Sequence, residues 1–289
     1  MARSLMLNLI LALIGIAALI CVVSRLLHRY FIYLPDRTRY IPEAMGLPEV
    51  QEITLEAQDG VRLIAWHSPA RGTRPTLLYF TGVGGCVGTR AEKIRRLRSM
   101  GFGVFMLNYR RYGGSGGRPS EANNVSDAAL AYDWLWKNGL KPSEIVAYGE
   151  SIGSGVATQL ARLRPVKALV MEATFTSIVD VGRQVWWCLP LQLIMVDQYR
   201  NLEHIKGVKV PVLIMHGARD RMIPVTQARH LYAEANEPKK LAILPRGDHS
   251  DLYDCGAVER MRDFLEALDA NVAMPVPVRH APVLEVVAA

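Results

Sequence analysis

Between Glu49 and Ala270 the chain alternates short β-branched, apolar runs with amphipathic helical stretches, a pattern that few architectures can bury. The period predicts strands near residues 52–57, 62–67, 76–80, 104–108, 145–148, 168–172, 212–216 and 241–244. Helices are predicted near 89–100, 120–138, 151–164, 226–235 and 255–270. Gln58-Asp59-Gly60 separates the first two strands and reads as a hairpin turn. The later runs are continuously apolar, as in parallel strands covered on both faces. Alternation of this kind implies an α/β fold: a mostly parallel eight-stranded sheet flanked by helices. The 289 residues, 50% of them hydrophobic, supply one large core with appendages and would be cramped for two domains.

The amino terminus is different in character. From Leu5 to Val23 it is almost unbroken Leu, Ile, Ala and Val, interrupted by Asn8 and Gly15. About 20 apolar residues in a helix cross a bilayer core of roughly 30 Å, so residues 1–24 are expected to be a transmembrane helix. A cleaved signal peptide is the competing reading, but bulky residues at Ile20-Cys21-Val22-Val23 spoil a small-residue cleavage site. Arg25, Arg29, Arg37 and Arg39 outnumber Arg3 and the terminal amine, which leans the remainder of the chain toward the cytoplasmic side of a single-pass arrangement. Residues 25–49, with Pro35, Pro42 and Pro48, read as a connector, 50–270 as the catalytic domain, and 271–289 as a disordered tail.

Net charge is +7, which suits either general solubility or attraction to an anionic membrane surface. No nucleic-acid-binding motif accompanies it, so nucleic acid is not an expected partner. The four cysteines have neither paired nor metal-ligand spacing, in keeping with a reducing compartment. No metal site and no cofactor motif is expected.

Chemistry concentrates at Gly149-Glu150-Ser151-Ile152-Gly153, a G-x-S-x-G pentapeptide between an expected strand and an expected helix. The glycines permit a turn too sharp for side chains, and Ser151 is the candidate nucleophile. A base must take its proton and a carboxylate must orient that base. In strand–turn–helix sites of this type the order is serine, acid, histidine, each after a strand. Asp220 follows the 212–216 run and His249 follows the 241–244 run, so these are the expected acid and base. Glu172 also ends a strand and is the reserve acid, whereas Asp248 and Asp251 lie too near His249 in sequence to orient its ring. Backbone N–H groups of Ile152 and of Val83, in Thr81-Gly82-Val83-Gly84-Gly85, are the expected oxyanion donors. A phosphate-cradling loop is disfavoured there, because no G-K-[ST] follows.

Residues 174–203 interrupt the alternation with apolar stretches around Trp186-Trp187-Cys188 and Leu193-Ile194-Met195. They form either a lid over an acyl pocket, with Phe175, Trp186 and Trp187 touching substrate, or ordinary core packing.

From Tyr33 to Leu268 the chain resembles the Bem46-like α/β-hydrolase domain-containing proteins. The resemblance rests on Tyr109-Arg110-Arg111-Tyr112-Gly113-Gly114, on Val210 to Gly217 running on to Asp220 and Ile223-Pro224, and on the serine pentapeptide. It implies the α/β-hydrolase fold and a Ser151–Asp220–His249 triad, and an amino-terminal anchor is common among such proteins. Apart from the resemblance, the serine–histidine–acid set is expected to hydrolyse ester or thioester bonds, and the expected anchorage beside a bilayer points to small-molecule ester, lipid or acylated-protein substrates. A prolyl-oligopeptidase-like serine peptidase shares these motifs, and a silent membrane-tethered interaction protein is the alternative from another class. Two positions depart from the family: Thr81-Gly82 stands where His-Gly is usual, and Arg111 where glycine is usual.

Overall fold

A computed structural model describes residues 2–270, so the expected tail over 271–289 lies outside the described residues. Eight strands form one sheet: β1 Gln51–Glu56, β2 Arg62–Ser68, β3 Thr76–Phe80, β4 Gly103–Leu107, β5 Ile145–Glu150, β6 Ala168–Glu172, β7 Val212–Gly217 and β8 Lys239–Leu244. Their order across the sheet is β8-β7-β6-β5-β3-β4-β2-β1. The β1–β2 hairpin and the β2–β4 pair are antiparallel, and every other pair is parallel.

Period-two alternation divides the core. Along β3, Leu78 and Phe80 face one apolar cluster while Leu77 and Tyr79 face the other. The first cluster is closed by α3 Glu121–Lys137, α4 Ile152–Leu163 and α8 Val225–Glu234. The second is closed by α2 Ala91–Ser99 and α9 Ala257–Asp269. Helices therefore cover both faces, which is why the central strands are mostly apolar along their whole length. Ser120 starts α3 by accepting the Asn123 amide at 3.1 Å.

The 174–203 insertion after β6 carries two short helices, α5 Ile178–Arg183 and α6 Leu191–Ile194, followed by α7 Asn201–His204. The amino-terminal run lies in α1, Ala2–Ile32. This helix continues past Ser24 into the expected connector, since no proline intervenes before Pro35. Among the described residues no helix is long and apolar enough to cross a membrane, so the transmembrane span expected over 1–24 is not shown. The later turns of α1 carry Arg25, His28 and Arg29, whose polar groups engage the insertion.

Candidate active site

Ser151 occupies the tight turn between β5 and α4 at φ 52° and ψ −120°. Positive φ is strained for a residue with a Cβ and persists only where surrounding structure enforces it. Here the Ser151 amide donates to the Glu172 carbonyl of β6 at 2.8 Å, and Ser154 donates its amide to the Ser151 carbonyl at 2.9 Å. The flanking glycines are sterically required. A Cβ on Gly149 would stand 2.2 Å from the Gly153 oxygen, and one on Gly153 would stand 2.1 Å from the Phe80 oxygen.

The loops after β7 and β8 bring the other two groups to the serine. Gly217 pairs with Leu244 at the ends of these strands. A Cβ on Gly217 would lie 2.3 Å from the Gly247 oxygen, so glycine lets the loops close on each other. The Ala218 amide then donates to the Leu244 carbonyl at 3.0 Å and the Arg219 amide to Gly247 at 2.9 Å. His249 Nδ1 lies 2.9 Å from Asp220 Oδ2, and its Nε2 lies 3.1 Å from Ser151 Oγ. With Nδ1–H donated to the carboxylate, Nε2 is left to accept the serine proton.

Asp220 is held on every side. Its Oδ1 accepts the Met222 and Ile223 amides at 2.9 and 2.8 Å, and His216 Nε2 stands 3.3 Å from Oδ2. Burial alone would push the Asp220 carboxyl up. Hydrogen bonds from His216, His249 and the Ile223 amide outweigh it and hold the carboxyl well below the usual carboxylate range. His216 also donates to the Ile223 carbonyl at 2.8 Å, and its role was not visible in the sequence.

Asp248 and Asp251 shape the histidine loop through backbone amides rather than the ring. The His249 amide donates to Asp248 Oδ1 at 2.8 Å, and the Asp248 amide to Asp251 Oδ1 at 2.6 Å. Glu172, the reserve acid, is placed elsewhere. Its carboxylate accepts Lys93 Nζ at 3.0 and 3.1 Å and the Tyr148 hydroxyl, which removes it from the histidine.

Lys93 also joins Glu150, the residue preceding the serine, at 3.1 Å. Glu150 further accepts Tyr79 Oη–H at 2.6 Å and Arg90 Nη2 at 2.9 Å. Burial opposes ionisation of Glu150, but the Lys93 and Arg90 charges prevail and lower its carboxyl below the usual range. This polar cluster sits behind the nucleophile turn and has no local sequence signature, because its members come from β3, the turn before α2, α2 itself, β5 and β6.

Val83 and Ile152 line one cavity together with Ser151. The Val83 loop is pinned through its carbonyls: Tyr109 donates to Thr81 at 2.9 Å, Tyr112 to Val83 at 3.0 Å and Arg90 to Gly84 at 3.3 Å. The Arg111 position adopts φ 74°, the conformation a glycine would take, with its amide donating to Ser115 and Gly116. The loop thus keeps a glycine-like backbone course despite the substitution.

The cavity measures about 430 Å³ and is mostly apolar. Phe175, Trp186, Leu191, Ile194 and Met195 line it from the insertion, and Ser24, His28, Phe31 and Ile32 from α1. Phe175 is fully buried. Trp187 does not take its expected place: it is 81% exposed and outside the cavity wall. Neighbouring side chains on a short, irregular segment diverge, so only Trp186 of the pair turns inward. Among the described residues no group of three or more His, Cys, Asp or Glu side chains is arranged to hold a metal ion.

A serine hydroxyl bonded to an oriented imidazole, beside backbone amides at a helix start, is equipped to attack a carbonyl carbon. Residues 75–192 match the family profile described as alpha/beta hydrolase fold, and residues 191–281 match that of PhoPQ-activated pathogenicity-related protein. The chain is 31% identical over 281 residues to the Alpha/beta hydrolase domain-containing protein WAV2 of Arabidopsis thaliana, covering 88% of this chain and 90% of that protein. It is 28% identical to the lysophosphatidylserine lipase ABHD12 of Danio rerio, over 69% of this chain and 62% of that one. Among solved structures, the Pyrococcus furiosus esterase Pf2001 superposes with a TM-score of 0.65 at 18% identity, over 81% of this chain and 97% of that one.

Proposed function

This chain belongs to the α/β-hydrolase family, and we propose that it is a serine hydrolase cleaving carboxylic ester or thioester bonds of apolar acyl substrates through an acyl-enzyme. The observation that carries this is the unbroken series Asp220–His249–Ser151 opening onto an apolar cavity.

In this mechanism Ser151 Oγ attacks the substrate carbonyl carbon as its proton passes to His249 Nε2. Asp220, kept ionised by its hydrogen bonds, stabilises the resulting imidazolium. The developing oxyanion is met by the Val83 and Ile152 N–H groups, aided by the positive end of α4. Collapse expels the alcohol or thiol, which takes the proton from His249. Water then attacks the acyl-serine, again with His249 as base, and releases the acid.

Cavity chemistry supports a long or branched acyl group. Burying apolar surface contributes about 25 cal/mol per Å², so a cavity lined by Phe, Trp, Leu, Ile and Met favours hydrocarbon over a polar peptide. The relative ABHD12 of Danio rerio, a lysophosphatidylserine lipase, fits the same substrate class. Attachment to a lipid surface belongs to this proposal: Leu7, Leu11 and Leu19 of α1 expose apolar side chains that water would not favour. Liposome flotation tests that part; wild type should float and the Leu7→Glu/Leu11→Glu/Leu19→Glu variant should sink, while a floating variant contradicts it.

The activity itself is tested with purified protein on p-nitrophenyl esters from acetate to palmitate. Turnover with a preference for longer acyl groups is expected. An enzyme inert on the whole series refutes the proposal.

A further inference from the structure

Two segments far apart in sequence meet at the cavity rim. Arg29 of α1 grips Asp197 of the insertion through two hydrogen bonds, Nε to Oδ2 at 2.9 Å and Nη2 to Oδ1 at 3.0 Å. Such a fork fixes angle as well as distance. The Asp197 side chain is 3% exposed while that of Arg29 is 45% exposed, so the carboxylate is sheltered and the guanidinium reaches it from the solvent side. Tyr33 donates to Asp197 Oδ2 at 3.0 Å and lies 2.8 Å from the Tyr199 hydroxyl, to which Asn124 of α3 donates at 2.9 Å. The chain of contacts therefore runs from α1 through the insertion into the body of the fold.

His28 adds a second tie. Its Nδ1 lies 2.7 Å from the Arg25 carbonyl, and its Nε2 receives the Asp197 amide at 3.4 Å. Arg25 itself donates to the Leu193 carbonyl at 2.8 Å. While these polar groups hold the insertion, Ser24, Phe31 and Ile32 from the same turns line the cavity that contains Ser151. Among the described residues neither Ser151 nor His249 hydrogen-bonds to Arg29 or Asp197.

We infer that the last turns of α1 form the outer wall of the acyl cavity and set acyl-chain selectivity, with the Arg29–Asp197 clamp as the positioning device. The inference rests on the ester-hydrolase reading above. A helix held by several polar contacts has a fixed standoff from α6, and the standoff defines how much hydrocarbon the cavity admits. Ser24, the small residue of the wall, keeps part of that space open.

The test is the ratio of kcat/KM for p-nitrophenyl laurate to that for p-nitrophenyl acetate, measured on the full-length protein. Ser24→Phe fills the wall and should lower the ratio by about tenfold or more, the size a pocket imposes for a few methylenes. Asp197→Asn loosens the wall and should also shift the ratio, by about fivefold or more, and Arg29→Lys, whose ammonium cannot form the fork, should shift it in the same direction. Tyr30→Ala, on the same turns but pointing away from the cavity wall, should leave the ratio at the wild-type value. A merely structural role for α1 would move both esters in parallel, so unchanged ratios in Ser24→Phe and Asp197→Asn overturn the inference. Should Asp197→Asn not fold, Ser24→Phe alone decides. A wild type inert on every ester removes the hydrolase reading and this inference together; an active wild type with invariant ratios removes this inference only.

Discussion

His249 presents Nδ1 to Asp220 Oδ2 at 2.9 Å, while the second carboxylate oxygen of Asp220 is already occupied by two backbone amides. The acid is thus fixed in rotation before the histidine arrives, and the imidazole has one orientation that satisfies it. That orientation leaves Nε2 facing Ser151.

Replacing the carboxylate by an isosteric amide should invert the imidazole's proton placement without disturbing the loops. Asp220→Asn is expected to lower kcat by about 10⁴-fold, as loss of the orienting acid does in comparable sites. KM should change far less. A loss smaller than tenfold means that another group orients His249.

The cluster behind the nucleophile predicts a pH-dependent contribution to stability. Glu150 ionises more readily in the folded chain than in the unfolded one, because Lys93 and Arg90 face it. Its stabilising effect is complete above the unfolded value of about 4.3 and fades as pH falls through the lower folded value. Glu150→Gln should therefore melt several degrees below wild type at pH 7, with the gap narrowing below about pH 4. A gap independent of pH across that range would show that the carboxylate charge is not what matters.

Steric demand at the turn predicts a different failure. Gly153→Ala places a methyl 2.1 Å from the Phe80 carbonyl oxygen, and backbone cannot yield as a side-chain end can. Loss of stability by roughly 1–3 kcal/mol or more is expected. Differential scanning fluorimetry at neutral pH measures it, and a melting temperature equal to wild type would count against the strained turn.

The two adjacent tryptophans should behave unlike each other. Trp186 lines the cavity and Trp187 does not. Trp186→Ala is expected to raise KM for long-chain esters by about three- to tenfold through lost apolar contact, whereas Trp187→Ala should leave it near the wild-type value. Equal effects would mean that the cavity is not where the acyl group binds.

Much of this was legible in the sequence because it depends on local period and local turn chemistry. The expected strand at Thr76–Phe80 and the strand at Ala168–Glu172 match the structure end to end, since short, largely apolar runs alternating with helical stretches suit strands buried on both faces. The serine turn was legible for a steric reason: two glycines flanking the serine at fixed spacing have few other uses. The order of Asp220 and His249 followed from their positions after strands.

What was illegible depends on partners distant in the chain. Arg29 and Asp197 are separated by 168 residues, and neither carries a local signature of the other. The helix of α1 was visible as an apolar run, but its contribution of Ser24, His28, Phe31 and Ile32 to the cavity was not. Likewise Glu172 resembled an acid at a strand end until Lys93 from α2 was seen to claim it. Trp186 and Trp187 were indistinguishable in sequence because irregular segments lack a period that assigns faces.

Intact-mass analysis after treatment with a fluorophosphonate tests the central claim most directly. One covalent adduct per chain is predicted, mapping to Ser151 on peptide sequencing, absent from Ser151→Ala and strongly slowed in His249→Ala. No adduct on the folded wild-type protein, or undiminished labelling of Ser151→Ala, would contradict it.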